Sequence, residues 1–234
     1  MHHADPLLGR GLFHFGFWIW ECGTFAIRNA NCGIITKEEK VSQSISATTI
    51  WTKELIIGAS ARKALGVGLF FMLTALGAFV RIPLPWTPVP ITLQTLFVLL
   101  AGLALGGTLG GASSLCYLAI GSLGLPIFAG AAGGLSQVAG PTGGYLIAFP
   151  IASWVVGRAA GREAGWLMAS LAVLLGTLVI YVLGAGNLAV ILNCGPGKAF
   201  QLGVLPFVVG DALKAALALG IYQGYRTRLK ELFR

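Results

Sequence analysis

Charge is what this sequence lacks. Only 10% of its residues are charged, and between Arg81 and Arg158 there is no Asp, Glu, Lys or Arg at all. An uncharged interval of that length far exceeds the roughly 20 residues that one perpendicular membrane span needs, so the chain reads as an integral membrane protein with several spans. Histidine is equally scarce. His2, His3 and His14 all lie near the N-terminus, which leaves the apolar body without its usual metal ligands or general bases. No metal or cofactor is expected. A serine hydrolase would need a base beside Ser113, Ser114, Ser122, Ser136, Ser153 or Ser170, and only Lys214 offers one; an intramembrane enzyme is a remote alternative. Cysteine adds no motif: Cys22, Cys32, Cys116 and Cys194 form no Cys-x-x-Cys pair. The segment Gly195-Pro196-Gly197-Lys198 lacks the earlier glycine, the following Ser or Thr and the strand of a phosphate loop, so ATP hydrolysis falls to a partner.

What is present is hydrophobic mass, 56% of the residues, with a net charge of +8. The basic residues sit in short links and at the C-terminus, a distribution that marks topology and excludes a nucleic-acid partner. Pro and Gly divide the apolar mass into six predicted spans, Ala64–Val80, Ile91–Leu105, Leu109–Leu123, Gly144–Val156, Ala164–Leu183 and Leu202–Tyr222. The predicted fold is an all-α membrane protein of six helices. Arg62, Lys63, Arg158, Arg162, Arg226, Arg228, Lys230 and Arg234 fall on one side of these spans, and only Arg81 and Lys198 on the other. The positive-inside rule then places both termini in the cytoplasm of a plasma-membrane protein.

On the outer side lie three long links, 81–90, 124–143 and 184–201. Long ordered loops tend to carry function. Below them Asp211 and Lys214 interrupt the apolar run from Leu202 to Tyr222. Each ionisable group opposes insertion by roughly 2.5–3.5 kcal/mol, and at i and i+3 both project from one helix face. They either neutralise each other or face a polar solute in a cavity open to the outside. Gly102, Gly106 and Gly110 repeat every four residues, which suits close packing where the second and third spans turn.

Residues 1–50 stand apart from this pattern. Phe13–Trp20 is aromatic, but Arg10, His14 and Glu21 interrupt or follow it, and no signal-peptide cleavage site is evident. The expected domain division is a poorly ordered extension over 1–50, or an over-long start, and a transmembrane domain over 51–234. An interfacial anchor is the rival reading of the extension.

Four local motifs in this order are specific together. They are Pro88-Val89-Pro90-Ile91-Thr92-Leu93-Gln94-Thr95, Gly124-Leu125-Pro126-Ile127-Phe128-Ala129, Gly140-Pro141-Thr142-Gly143-Gly144-Tyr145-Leu146, and Pro206-Phe207 with Gly210-Asp211-x-x-Lys214. From about Lys63 to Leu229 the chain resembles the BioY family, the biotin-binding S components of energy-coupling-factor (ECF) vitamin transporters. The resemblance implies a six-helix subunit that captures biotin outside and docks on an energising module of one transmembrane coupling protein and two ATPases. A stand-alone carrier or channel for biotin or another vitamin is the alternative, although one acid in six spans is thin material for ion coupling.

Biotin presents a carboxylate, an aliphatic tail and a ureido ring with two N–H donors and a carbonyl, so its site needs a cation, an apolar channel and directed hydrogen bonds. Lys214 is expected to hold the carboxylate, with Asp211 fixing the lysine or accepting a ligand N–H. In the Gly140–Tyr145 motif the glycines, Gly143 and Gly144 among them, permit close backbone approach, and its place with Thr142 before the fourth span aims free helix N-terminal N–H groups at an acceptor; the other reading is a tight turn. Tyr145 offers a ring face and a hydroxyl. Thr92, Gln94 and Gln137 can read the ureido ring or serve as interhelical hydrogen bonds. Phe128 and Trp86 line or cover the apolar part, or belong to an interfacial aromatic belt. For docking, the first span offers Ala64-x3-Gly68 and Thr74-x3-Ala78, which packing within the bundle explains as well.

Overall fold

The computed structural model describes residues 58–161 and 165–233. The extension predicted over 1–50 lies outside them. The described chain runs α1 (Ala59–Phe79), β1 (Arg81–Ile82), β2 (Ile91–Thr92), α2 (Gln94–Leu105), α3 (Gly107–Ser122), α4 (Leu135–Val138), α5 (Gly143–Ala160), α6 (Trp166–Ile191), α7 (Pro196–Gly203) and α8 (Val208–Phe233). Each of the six predicted apolar segments contains a helix. α1 and α6 are long and apolar enough to cross a membrane, and α7 with α8, bent by 55°, makes a third candidate if the pair is one span. Leu65, Leu69, Met72 and Leu76 on α1, and Leu167, Leu171, Leu174 and Val182 on α6, are exposed. An apolar exterior of that extent suits hydrocarbon and not water.

Two predicted boundaries need correction. The outer link expected from Gly184 starts later, because α6 continues to Ile191. Gly184 does not break the helix; it gives α5 room to pack, since a Cβ there would enter the Tyr145 ring. The sixth segment is not continuous either. The chain turns between α7 and α8 at Pro206, which has no N–H to donate and would clash with the preceding helical turn.

Small residues set the helix spacing. One residue, Gly106 at φ +82°, ends α2 and begins α3, and its N–H bonds the Gly102 carbonyl. That left-handed corner favours glycine. α5 lies across this corner: a Cβ on Gly157 would meet the backbone of Gly106 and Gly107, and one on Gly102 would meet Ser153 and Val156. α5 also packs on α6, and α2 on α8. Of the docking candidates, Gly68 has open space beside it and Thr74 turns inward, its hydroxyl bonding the Phe70 carbonyl at 2.8 Å.

The buried side chains form two clusters. One joins Leu99, Leu103, Val156, Val173 and Tyr222; the other joins Val89, Tyr117, Phe128, Tyr145, Phe149, Ile180 and Phe207. The second surrounds a cavity. β1 pairs antiparallel with β2, Arg81 opposite Thr92 and Ile82 opposite Ile91, and this clasp holds the Pro88–Pro90 segment at the cavity wall.

Candidate functional site

The cavity has a volume of about 260 Å3, at the small end of ligand pockets, which start near roughly 300 Å3. Its floor is the ion pair. Asp211 lies in the first turn of α8, where the helix dipole favours negative charge, and Lys214 Nζ donates to its Oδ1 at 2.8 Å. Both residues are buried, at 7% and 6% exposure. Thr95 on α2 donates to the same oxygen at 3.1 Å, and Tyr181 on α6 donates to Oδ2 at 2.9 Å. Three helices therefore converge on one carboxylate. Such a group is tolerable in an apolar bundle because it is paired and hydrogen-bonded.

Capacity is left over. An ionised carboxylate has about four acceptor sites and an ammonium has three donors. Asp211 receives three protein donors and Lys214 gives one, so the pair retains both an acceptor position and donor N–H groups.

Of the sequence-predicted residues, Asp211, Lys214, Tyr145, Thr142, Gln137, Phe128, Gln94 and Thr92 all line this cavity. Their engagement differs. Thr92 Oγ1 donates to Gln94 Oε1 at 3.1 Å, Gln94 Nε2 donates to the Tyr117 hydroxyl at 2.6 Å, and Tyr117 donates to the Ile127 carbonyl at 3.0 Å. This relay ties α2 and α3 to the 124–134 link while leaving part of the Gln94 amide free. The Tyr145 hydroxyl is spent on the Gly203 carbonyl at 2.6 Å, so its ring is what the cavity meets. Phe128 stands edge-on to Tyr117 with centroids 5.4 Å apart.

Three predicted residues lie elsewhere. Gly143 and Gly144 are not in the cavity wall: a Cβ on Gly143 would strike the Val138 carbonyl, and one on Gly144 would strike Asn187 and Leu183. They let α5 start beneath α4 and against α6, and the Gly143 N–H bonds the Gly140 carbonyl at 3.0 Å. Trp86 is 60% exposed and outside the wall.

Residues not singled out for the site also belong to it. Tyr181 and Thr95 complete the shell of Asp211, and nothing distinguishes a span tyrosine or threonine of this kind in a single sequence. Arg81, read above only as a topology signal, lines the cavity from the β1 edge, its guanidinium against Gly130. Its signal was available, since it is the last charge before the uncharged interval. It makes no ion pair among the described residues. Apolar wall comes from Val89, Leu146, Phe149, Ile180 and Phe207.

A family model described as the BioY family matches residues 45–231. The chain belongs to the BioY family. It is 49% identical to a probable biotin transporter BioY of Pyrococcus horikoshii, over 65% of this chain and 89% of that one. It is 38% identical to the biotin transporter BioY of Thermotoga maritima, over 73% and 97%. Among solved structures it is similar to the S-component for biotin from an ECF-type ABC transporter, with a TM-score of 0.69, 27% identity, and coverage of 75% of this chain and 97% of the other. Like that relative, the chain is a helical membrane protein.

Proposed function

We propose that this chain is the biotin-binding S component of an ECF transporter, a multi-pass plasma-membrane subunit and not an enzyme. It captures biotin from outside and delivers it together with a transmembrane coupling protein and two ATPase subunits. Six spans with both termini inside agree with its basic residues, the three shorter helices and the bent α7–α8 pair crossing as tilted or protein-packed segments. The observation that carries the ligand reading is the buried Asp211–Lys214 pair on the floor of the cavity, with unspent donors and an unspent acceptor position.

Charge balance orients the ligand. Asp211 and Lys214 already cancel, so a carboxylate placed on Lys214 would add an uncompensated charge in an apolar bundle. Arg81 supplies a cation with no carboxylate partner among the described residues, on the wall of the same cavity. The ureido ring suits the ion pair instead: its carbonyl accepts from Lys214 and an N–H donates to Asp211. The carboxylate then lies toward Arg81, with the tail along Phe149, Ile180 and Phe207. This reverses the orientation that the sequence alone favours. Gln94, Thr92, Thr142 and Gln137 are left to read the remaining polar edges.

Equilibrium binding of labelled biotin to the purified protein, with desthiobiotin, riboflavin and thiamine as competitors, tests the function. Displacement by desthiobiotin alone is expected. Lys214→Ala should weaken binding by about 2–5 kcal/mol, the range for truncating one member of a buried charged pair, and should do so equally for biotin and for its uncharged amide. Arg81→Gln should weaken biotin selectively. Equal losses for acid and amide in Arg81→Gln would return the carboxylate to Lys214. Uptake that needs co-expressed coupling protein and ATPases would separate this reading from a stand-alone carrier.

A further inference from the structure

Behind the cavity wall, the hydrogen-bond relay through Tyr117 has a fixed direction. Tyr117 on α3 is fully buried and does not line the cavity, whereas Gln94, the first residue of α2, does. The far end of the relay is the Ile127 carbonyl, which can only accept, so the phenol spends its single proton there at 3.0 Å. The phenol oxygen must then accept from Gln94. Of the two ends of that amide only Nε2 can donate, at 2.6 Å, which turns Oε1 to the other side, where Thr92 Oγ1 donates to it at 3.1 Å. An unpinned glutamine can turn either end to a neighbour. Here one backbone carbonyl, acting through one tyrosine, decides the orientation.

Oε1 keeps one acceptor position. Around the ion pair acceptors are few: both positions of Asp211 Oδ1 are filled, by Lys214 and Thr95, and one of the two on Oδ2 is filled by Tyr181. A ureido ring brings two N–H donors, and Asp211 has room for one. The second needs an acceptor of its own, or its desolvation goes uncompensated. Gln94 immediately precedes Thr95 on α2, so the residue whose amide is held in one orientation adjoins the residue that anchors Asp211. We propose that Gln94 Oε1 takes the second ureido N–H, and that Tyr117 is the positioning residue that keeps this oxygen available as an acceptor, which makes the site selective for a solute with two N–H donors. The inference rests on the reading of the cavity as a biotin site.

Tyr117→Phe removes the hydroxyl and keeps the ring against Phe71 and Phe128. Biotin binding is measured on the purified wild type, Tyr117→Phe, Gln94→Met and the double variant, with thermal unfolding of each. Gln94→Met should weaken biotin about tenfold or more, the cost of leaving a buried donor unpaired, and Tyr117→Phe about fivefold, since the freed amide turns its oxygen to the ligand only part of the time. In the Gln94→Met background, Tyr117→Phe should change affinity no further. A merely structural tyrosine, acting through the 124–134 link, would weaken both backgrounds alike, and that outcome overturns the positioning role. Analogues methylated at one or the other ureido nitrogen give an independent reading. The wild type should reject both by about tenfold or more; Gln94→Met should relax the rejection of one isomer and leave that of the other, whose lost bond is to Asp211, as it was. Rejection of both isomers unchanged in Gln94→Met would overturn the contact. Should Tyr117→Phe fail to fold, 4-aminophenylalanine at position 117 keeps a donor for Ile127 but offers Gln94 a poor acceptor, and goes through the same cycle. A wild type that binds no biotin strikes the ligand reading and this contact with it, whereas biotin binding together with either overturning result strikes the contact alone.

Discussion

The two buried clusters of this protein are built by opposite means. Around the α2–α3 corner, Gly102, Gly106, Gly107 and Gly157 bring backbones together until no side chain fits between them. Around the cavity above Asp211 and Lys214, tyrosine, threonine, glutamine and a charged pair hold the helices apart and link them through side-chain hydrogen bonds. In a membrane neither region gains from moving apolar groups out of water once the helices are inserted, so close packing and interhelical hydrogen bonds must do the holding. The first region has nothing to give when volume is added. The second has room for a solute because its contacts are made at the ends of side chains.

Adding a side chain to the tight region should have the largest effect. Overpacking a core that can adjust destabilises by about 1–3 kcal/mol, and at Gly157 the obstacle is backbone on two consecutive residues. Gly157→Leu is expected to exceed that range and to abolish the folded, monodisperse protein, read by thermal unfolding and size-exclusion. A folded Gly157→Leu with native biotin affinity would mean that the corner is not what fixes the helix spacing.

In the cavity region the sharpest break is to orphan a charge. Asp211→Ala leaves Lys214 buried without its counter-ion and should destabilise by about 3–5 kcal/mol, as breaking buried pairs does. Replacing both, Asp211→Asn with Lys214→Met, removes the orphan and should recover most of that stability while binding stays lost. Unfolding midpoints and biotin binding of the wild type and these two variants separate the two roles. If the double variant bound biotin, the pair would be structural only.

Legibility in the sequence followed the same division. The helices could be read because lipid demands long apolar runs, and the ion pair stood out because ionisable groups in such runs are expensive. What could not be read depended on which backbones touch. Gly184 looks like a break and is a packing position for Tyr145; Gly143 and Gly144 look like a ligand loop and instead seat α5 against Val138, Leu183 and Asn187. Tyr181 and Thr95 are ordinary span residues until three helices bring them to Asp211. Arg81 served as a topology signal, and only the β1–β2 clasp turns it into part of the cavity wall.

The smallest expected effect sharpens the comparison by separating two aromatics that the sequence treats alike. Phe128 and Trp86 both sit in Pro-containing links between helices, yet Phe128 is 2% exposed in the cavity wall and Trp86 is 60% exposed outside it. A Cβ on Gly121 would enter the Phe128 ring, so the glycine is what lets the far edge of that ring reach α3. Phe128→Ala should therefore open the cavity roof and lose about 3 kcal/mol or more, as buried phenylalanines do. Trp86→Ala should stay within about 0.5 kcal/mol, the range for surface positions without special contacts. Thermal unfolding with and without biotin measures both. A loss of biotin affinity in Trp86→Ala at unchanged stability would show that the 83–90 link folds over the bound vitamin, and that the cavity closes further than its ligand-free walls indicate.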